Sequence, residues 1–249
     1  MSLLELDEVR KDFGGLAAVD DFSFRLEAGG VHALIGPNGC GKSTLFNLIS
    51  GATPLSAGSI RFDGREIGGL QPAEISRLGI GRKFQVPEVF EELTVEQNLW
   101  VPAWSGARLS LWREAAGADH DRILDRIRLT AKRAQRAGEL SHGERQWLEI
   151  GMVLASRARL LLLDEPTAGM TQAETAATAG LIREIVTDGA ATVLVIEHDM
   201  GFIRRLDCPV TVMAKGRVLK SGSYEALQAD PEVRALYFGR SGELAAAPC

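Results

Sequence analysis

The spacing of apolar and polar residues changes several times along this chain, and each change marks an element. From Leu3 to Leu26 the two kinds alternate in short stretches around Gly14-Gly15. A period of two puts neighbouring side chains on opposite faces, so this region predicts short antiparallel strands with a turn at the glycines. Val31-His32-Ala33-Leu34-Ile35 is a short apolar run stopped by Gly36, and a helical stretch, Ser43–Ser50, follows a glycine loop. Gly58–Gly64 predicts a further strand with a turn glycine at each end. From Val95 to Ile150 the spacing is mostly helical. Leu160–Leu163 and Thr192–Ile196 are strongly apolar, with a helical pattern, Gln172–Val186, between them. Short apolar runs alternating with helices predict a largely parallel sheet covered on both faces. Val210–Val218 predicts a last hairpin, and no internal repeat is visible.

Composition narrows the class. A chain of 249 residues is one large domain or two small ones. With 45% hydrophobic and 24% charged residues it is an ordinary globular sequence, which excludes disorder, collagen and coiled coil. The net charge of −5 argues against a broad nucleic-acid-binding face, so no nucleic-acid partner is expected. Cys40, Cys208 and Cys249 are too few and too scattered for a disulfide framework or a zinc site. The start, MSLLELDEVRKDF, carries acids where a secretory leader needs a basic flank. No stretch approaches the roughly 18–20 apolar residues of a membrane span. A cytosolic protein is expected, with any membrane-spanning parts on other chains. The segment Gly106–Arg136 has eight basic and four acidic residues. It reads as a solvated helical surface or as a docking surface for another chain.

Two constellations carry chemistry. Gly36-Pro37-Asn38-Gly39-Cys40-Gly41-Lys42-Ser43-Thr44 matches GxxxxGK[ST] between a strand and a helix. That is the context a phosphate-binding loop requires: glycines let backbone N–H groups face phosphate oxygens, and the helix start adds its positive end. Lys42 is expected to reach the β- and γ-phosphates of a nucleotide, and the Ser43 hydroxyl to bind Mg²⁺. Leu160–Leu163 delivers Asp164 and Glu165 at a strand end. Asp164 is placed to hold Mg²⁺ through its water shell, and Glu165 to polarise an attacking water.

Further segments add a family resemblance. Leu140-Ser141-His142-Gly143-Glu144-Arg145-Gln146 resembles the LSGGQ signature of ATP-binding-cassette (ABC) ATPases, with His142 in place of a glycine and Glu144 in place of a glutamine. The resemblance implies that Ser141 and the backbone at Gly143 bind the γ-phosphate of an ATP held by the opposite subunit. A carboxylate at Glu144 must point away from that phosphate. Glu197-His198-Asp199 resembles the switch-histidine segment, which implies that His198 contacts the γ-phosphate and orients the water with Glu165. Phe84-Gln85-Val86-Pro87 looks like the glutamine loop, which implies that Gln85 touches Mg²⁺ and the attacking water and links the site to a transmembrane partner. Phe13 stands where the family stacks an aromatic on adenine; a lone Phe is otherwise usually core. Thr171, in Ala168-Gly169-Met170-Thr171, stands where the family expects an Asp. The catalytic set implied is thus Glu165, His198, Gln85 and Lys42, with Ser43, Gln85 and Asp164 at the metal.

The resemblance covers almost the whole chain. It implies a single nucleotide-binding domain over residues 1–249: an α/β phosphate-loop (RecA-like) core, an antiparallel β edge and a helical, signature-bearing lobe at about 86–154. GGLAAVDDFSF and LLDEPTAGM resemble the ATPases of hydrophobic and branched-chain amino-acid importers. Within that group, GIGRKFQVPEVFEELTVEQNL, LSHGERQWLEIGM and LQADPEVRALYFGR look most like the urea-importer ATPase. The expected activity is ATP hydrolysis with ATP and Mg²⁺, energising uptake of urea or short amides, or alternatively of branched-chain amino acids. The expected partners are two transmembrane permeases, a second ATPase subunit in a head-to-tail dimer and, indirectly, a periplasmic substrate-binding protein. The expected location is the cytoplasmic face of the inner membrane. A soluble phosphotransferase, a non-transport cassette protein and a purely regulatory ATP-binding module are the rival readings; the signature counts against the first, the lack of a second cassette or long insertion against the second, and intact Lys42, Glu165 and His198 against the third. Cys40 has two readings: a thiol activated by Lys42 and the helix start, or a small buried filler.

Overall fold

The computed structural model describes residues 2–83, 89–103 and 112–237. In chain order the elements are β1 (Ser2–Phe13), β2 (Leu16–Glu27), β3 (Val31–Ile35), α1 (Lys42–Ile49), β4 (Ala57–Phe62), β5 (Arg65–Glu66), α2 (Pro72–Leu78), β6 (Ile80–Lys83), α3 (Val95–Ala103), α4 (Trp112–Arg126), α5 (His142–Ala155), β7 (Leu160–Asp164), α6 (Gln172–Thr187), β8 (Thr192–Ile196), α7 (Met200–Leu206), β9 (Val210–Ala214), β10 (Arg217–Gly222), α8 (Tyr224–Ala229) and α9 (Pro231–Tyr237). They fall into two compact units. One takes Met1–Ala28, His32–Gly69 and Ile196–Cys249, the other Gly29–Val31 and Leu70–Val195.

In the first unit the alternating N-terminal stretch forms two strands of 12 residues each, longer than the spacing suggested. The ladder between β1 and β2 pairs Leu4 with Leu26 and Val9 with Phe22, and its register shifts between Leu6 and Val9 and again before Lys11. Each shift resets which side chains face inward, so one continuous strand looks like several short ones. Leu4, Leu6, Val9, Phe22 and Leu26 are all buried. The full sheet runs β2-β1-β4-β5 and is antiparallel. Elsewhere in this unit β3 lies parallel to β9, and β9 turns back into β10 through Lys215-Gly216, the expected hairpin. Helix α1 buries Leu45, Phe46, Leu48 and Ile49, and so fixes the direction of the loop before it.

In the second unit β6 runs parallel to β7, with Ile80 opposite Leu160 and Lys83 opposite Leu163. Every residue of β7 and β8 is buried, which is why both read as unbroken apolar runs. Helices α3 and α4 pack on α5. Among the described residues of the basic segment, several charges meet in surface ion pairs, such as Arg133 with Glu96 at 3.4 Å and Arg126 with Asp188 at 2.5 Å. Such surface pairs contribute about 0–1 kcal/mol each. No described helix is long and apolar enough to cross a membrane.

Candidate functional site

The phosphate loop sits between β3 and α1 in the first unit, and sterics dictate its glycines. A Cβ on Gly36 would lie 2.3 Å from the Met213 carbonyl oxygen and 2.6 Å from Cys40 Sγ. Gly41 has φ +109°, and a Cβ there would lie 2.2 Å from the Ala18 carbonyl oxygen. Cys40 O accepts the Gly216 N–H at 2.9 Å, tying the loop to the β9–β10 turn. Lys42 is buried and its Nζ donates to Gly36 O at 2.6 Å and Pro37 O at 3.1 Å, folded back over its own loop. Asn38, Gly39 and Ser43 are exposed, and Pro37 and Thr44 half-buried.

The start of α1 is capped by no side chain: its N-cap is Gly41, and its first turn carries no acid. The first N–H groups of a helix need an acceptor from outside, and the helix dipole favours an anion there. A lysine at the same place makes the loop a fitting cradle for phosphate oxygens.

Cys40 takes the bland of its two readings. Its side chain is 6% exposed and its sulfur fills the space beside Gly36. Burial pushes the thiol up, with Lys42 opposing more weakly. Activation by the loop's charge therefore loses to desolvation. Cys208 is buried as well, and its thiol is pushed up to about 12 by the same cause.

Phe13, at the end of β1, is 50% exposed rather than core, with Lys11 Nζ 5.0 Å from the ring centroid. A flat apolar face at a hairpin tip is suited to stacking. His198 is exposed, on a segment held from both sides. Its own N–H donates to the buried Glu197 carboxylate at 3.1 Å. Asp199 Oδ1 caps α7 by accepting from Gly201 N at 2.7 Å and Phe202 N at 3.1 Å. Both flanking acids thus position the backbone on either side of His198.

In the second unit Asp164 closes β7, buried, and Glu165 follows with φ 45°. A non-glycine residue at positive φ is held there by its surroundings. The sequence reading missed two basic partners on β6. Arg82 Nη2 lies 3.6 Å from Asp164 Oδ2, and Lys83 Nζ 3.4 Å from Glu149 Oε2 on α5. Burial pulls the Arg82 guanidinium down and Asp164 partly restores it. Adjacent Arg and Lys ending an apolar strand are a hint of buried acids, but nothing in the spacing names which ones. Gln85 lies outside the described residues.

The signature helix starts very differently from α1. Ser141 is its N-cap: Ser141 Oγ accepts from Glu144 N at 3.2 Å, and Glu144 Oε2 accepts from Ser141 N at 3.0 Å. Glu144 Oε1 also lies 2.6 Å from Lys132 Nζ. Burial pushes the Glu144 carboxyl up, but Lys132 and the Ser141 N–H more than offset it and leave it below its ordinary value. The departure from glutamine is therefore a capping box whose charge is turned to Lys132. Ser141 Oγ accepts the Glu144 N–H, and its hydroxyl also helps to lower the Glu144 carboxyl.

His142 Nε2 lies 2.9 Å from Ala168 O. Gly143 is buried, and a Cβ there would lie 2.5 Å from Glu174 Oε1. Thr171, where an Asp was expected, caps α6: its Oγ1 accepts from Glu174 N at 3.3 Å, and its own N–H donates to Glu174 Oε2 at 2.9 Å. These bonds from Thr171 hold the Glu174 carboxyl below its ordinary value.

Known proteins resemble this chain throughout. The family model described as "ABC transporter" matches residues 19–168. The high-affinity branched-chain amino acid transport ATP-binding protein BraF of Pseudomonas aeruginosa is 34% identical, across 96% of this chain and 98% of its own. LivG of Escherichia coli K12, with the same description, is 32% identical over the same shares. Among solved structures, the ADP conformation of MJ1267, an ATP-binding cassette of an ABC transporter, superposes with a TM-score of 0.86. It is 30% identical and covers 96% of this chain and 100% of its own.

Proposed function

Since this chain belongs to the ABC transporter family and is one of its ATPases, we propose that it powers an importer of branched-chain amino acids. The observation that carries the cargo is the end-to-end similarity to BraF and LivG, both named for branched-chain amino acid transport. The reading as a urea importer gains no support from these relatives. In hydrolysis, Lys42 would leave its loop carbonyls to meet the β- and γ-phosphates, while α1 offers its uncapped N–H groups. Phe13 would stack on adenine. Glu165 would take the proton of the attacking water, and His198 would orient that water against the γ-phosphate. The protein's contribution is mainly positioning and electrostatics, as is general for phosphoryl transfer.

Mg²⁺ fits the donor set. Asp164 offers one carboxylate and Ser43 one hydroxyl, and Mg²⁺ is usually held by one or two carboxylates with phosphates and waters. No cluster of three or more His, Cys, Asp or Glu that would hold a metal alone occurs among the described residues. Ser43, Asp164 and Gln85 would hold the ion, which when bound neutralises charge on the phosphate oxygens.

The working assembly we propose pairs the chain head-to-tail with a second ATPase subunit. Ser141 and Gly143 of each would meet the ATP on the other. This dimer would sit on two permeases at the cytoplasmic face of the membrane, served by a periplasmic binding protein. Uptake of radiolabelled leucine and urea in a strain lacking the chain tests the cargo. Leucine uptake falls and urea uptake holds on the present reading; the reverse would restore the urea reading.

A further inference from the structure

Three features of the second unit converge on His142, the signature's departure from glycine. First, the segment after Glu165 is a pair of tight turns: Ala168 N–H donates to Glu165 O at 3.2 Å, and Met170 N–H to Thr167 O at 3.1 Å. Second, the Ala168 carbonyl ending the first turn points at His142 Nε2, 2.9 Å away. Third, the fully buried Gln146 lies one helical turn on, with its amide nitrogen 3.3 Å from the same Nε2 and its Oε1 without a partner. Amide oxygen and nitrogen are assigned by hydrogen-bonding sense. Turning the Gln146 amide over gives Oε1 a donor and removes a clash of two donors. His142 Nε2 then faces two oxygens and must carry the proton.

We infer that His142 is a positioning residue for Glu165: its Nε2–H holds Ala168 O and thereby fixes the turn that begins at the Glu165 carbonyl. A relay of two hydrogen bonds joins the signature helix to the backbone of the proposed catalytic carboxylate. Glu165 sits at φ 45°, where a turn held at one end only would relax. A second tie runs beside the first, because Gly143 packs directly on Glu174, which Thr171 grips through its N–H and hydroxyl. With no acid at position 171, the loop after Glu165 is anchored through His142 and the α6 cap. The inference rests on Glu165 being the catalytic carboxylate.

Steady-state ATP hydrolysis by the full chain tests it. His142→Phe keeps the ring's bulk and loses the donor. It lowers kcat by about 3- to 10-fold, the worth of one net hydrogen bond, with KM for ATP within about 2-fold. His142→Gln, which retains an N–H, recovers at least half of the lost rate. In a Glu165→Gln background His142→Phe adds no further loss. Wild-type kcat in His142→Phe overturns the inference while leaving Glu165 in place, whereas wild-type turnover in Glu165→Gln alone removes its premise. An independent measurement needs no variant: ¹⁵N spectra of the His142 ring show a protonated Nε2 on this account, and a bare Nε2 overturns it.

Discussion

Helices α1 and α5 both start at a motif expected to meet phosphate, yet their first turns are built in opposite ways. Gly41 leaves the start of α1 with no side-chain cap and no acid, beside a buried lysine. Ser141 and Glu144 close the start of α5 on itself, and Lys132 neutralises the acid. An open helix start has N–H groups that need an acceptor from outside, and a capped one is already satisfied. The difference assigns the two ends different work. On the function proposed above, the α1 end meets the nucleotide of its own chain, and the α5 end completes a site that another subunit has filled.

That contrast can be broken, and the largest effect lies at the chemical step both ends serve. Glu165→Gln is expected to slow hydrolysis by about 10²–10⁴-fold while ATP binding persists, the usual worth of a positioned general base. Single-turnover assays with labelled ATP check it, and near wild-type rates would remove Glu165 from the mechanism. Next, Ser43→Asp gives α1 the acid it lacks. This variant is expected to lose ATP binding and yet to gain about 0.3–1 kcal/mol of stability from the dipole. Urea unfolding and nucleotide titration on one sample measure both.

Opening the α5 end costs stability instead. Ser141→Ala removes the cap and is expected to destabilise by about 0.5–2 kcal/mol, with monomer ATP affinity unchanged. The smallest effect is a pH dependence at Glu144. Its folded carboxyl titrates below its ordinary 4.5. Its contribution is therefore fully present above that value and fades as pH falls through the lowered one. The stability gap between wild type and Glu144→Gln is expected to shrink below about pH 4.5. A gap that widened on acidification would mean Lys132 does not stabilise the carboxylate.

The elements that frame the site were legible because strong local rules produce them. Gly36 to Thr44 needs glycines for contact distances and a lysine for charge, so the motif reads directly. Strands β7 and β8 are buried throughout, so apolar runs betray them. The long hairpin of β1 and β2 was harder, because four register shifts break its alternation. Reading Cys40 required knowing which way its sulfur points: the loop charge that would activate it is visible in sequence, and the burial that silences it is not. Arg82, Lys83 and His142 gain their meaning from Asp164, Glu149 and Ala168, at separations of 82, 66 and 26 residues. No local pattern specifies such partners. Thr171 shows the converse: in sequence it is only a departure from the family's Asp, and in the fold it is a helix cap.

The central claim is that α1 alone binds nucleotide within one chain and that α5 serves only across a subunit pair. Calorimetric titration of ATP into dilute, monomeric Ser141→Arg and Ser43→Asp chains tests it most directly. On this account Ser141→Arg binds within about 3-fold of wild type, a difference under 1 kcal/mol, and Ser43→Asp does not bind. Loss of binding in Ser141→Arg, or retained binding in Ser43→Asp, would contradict it.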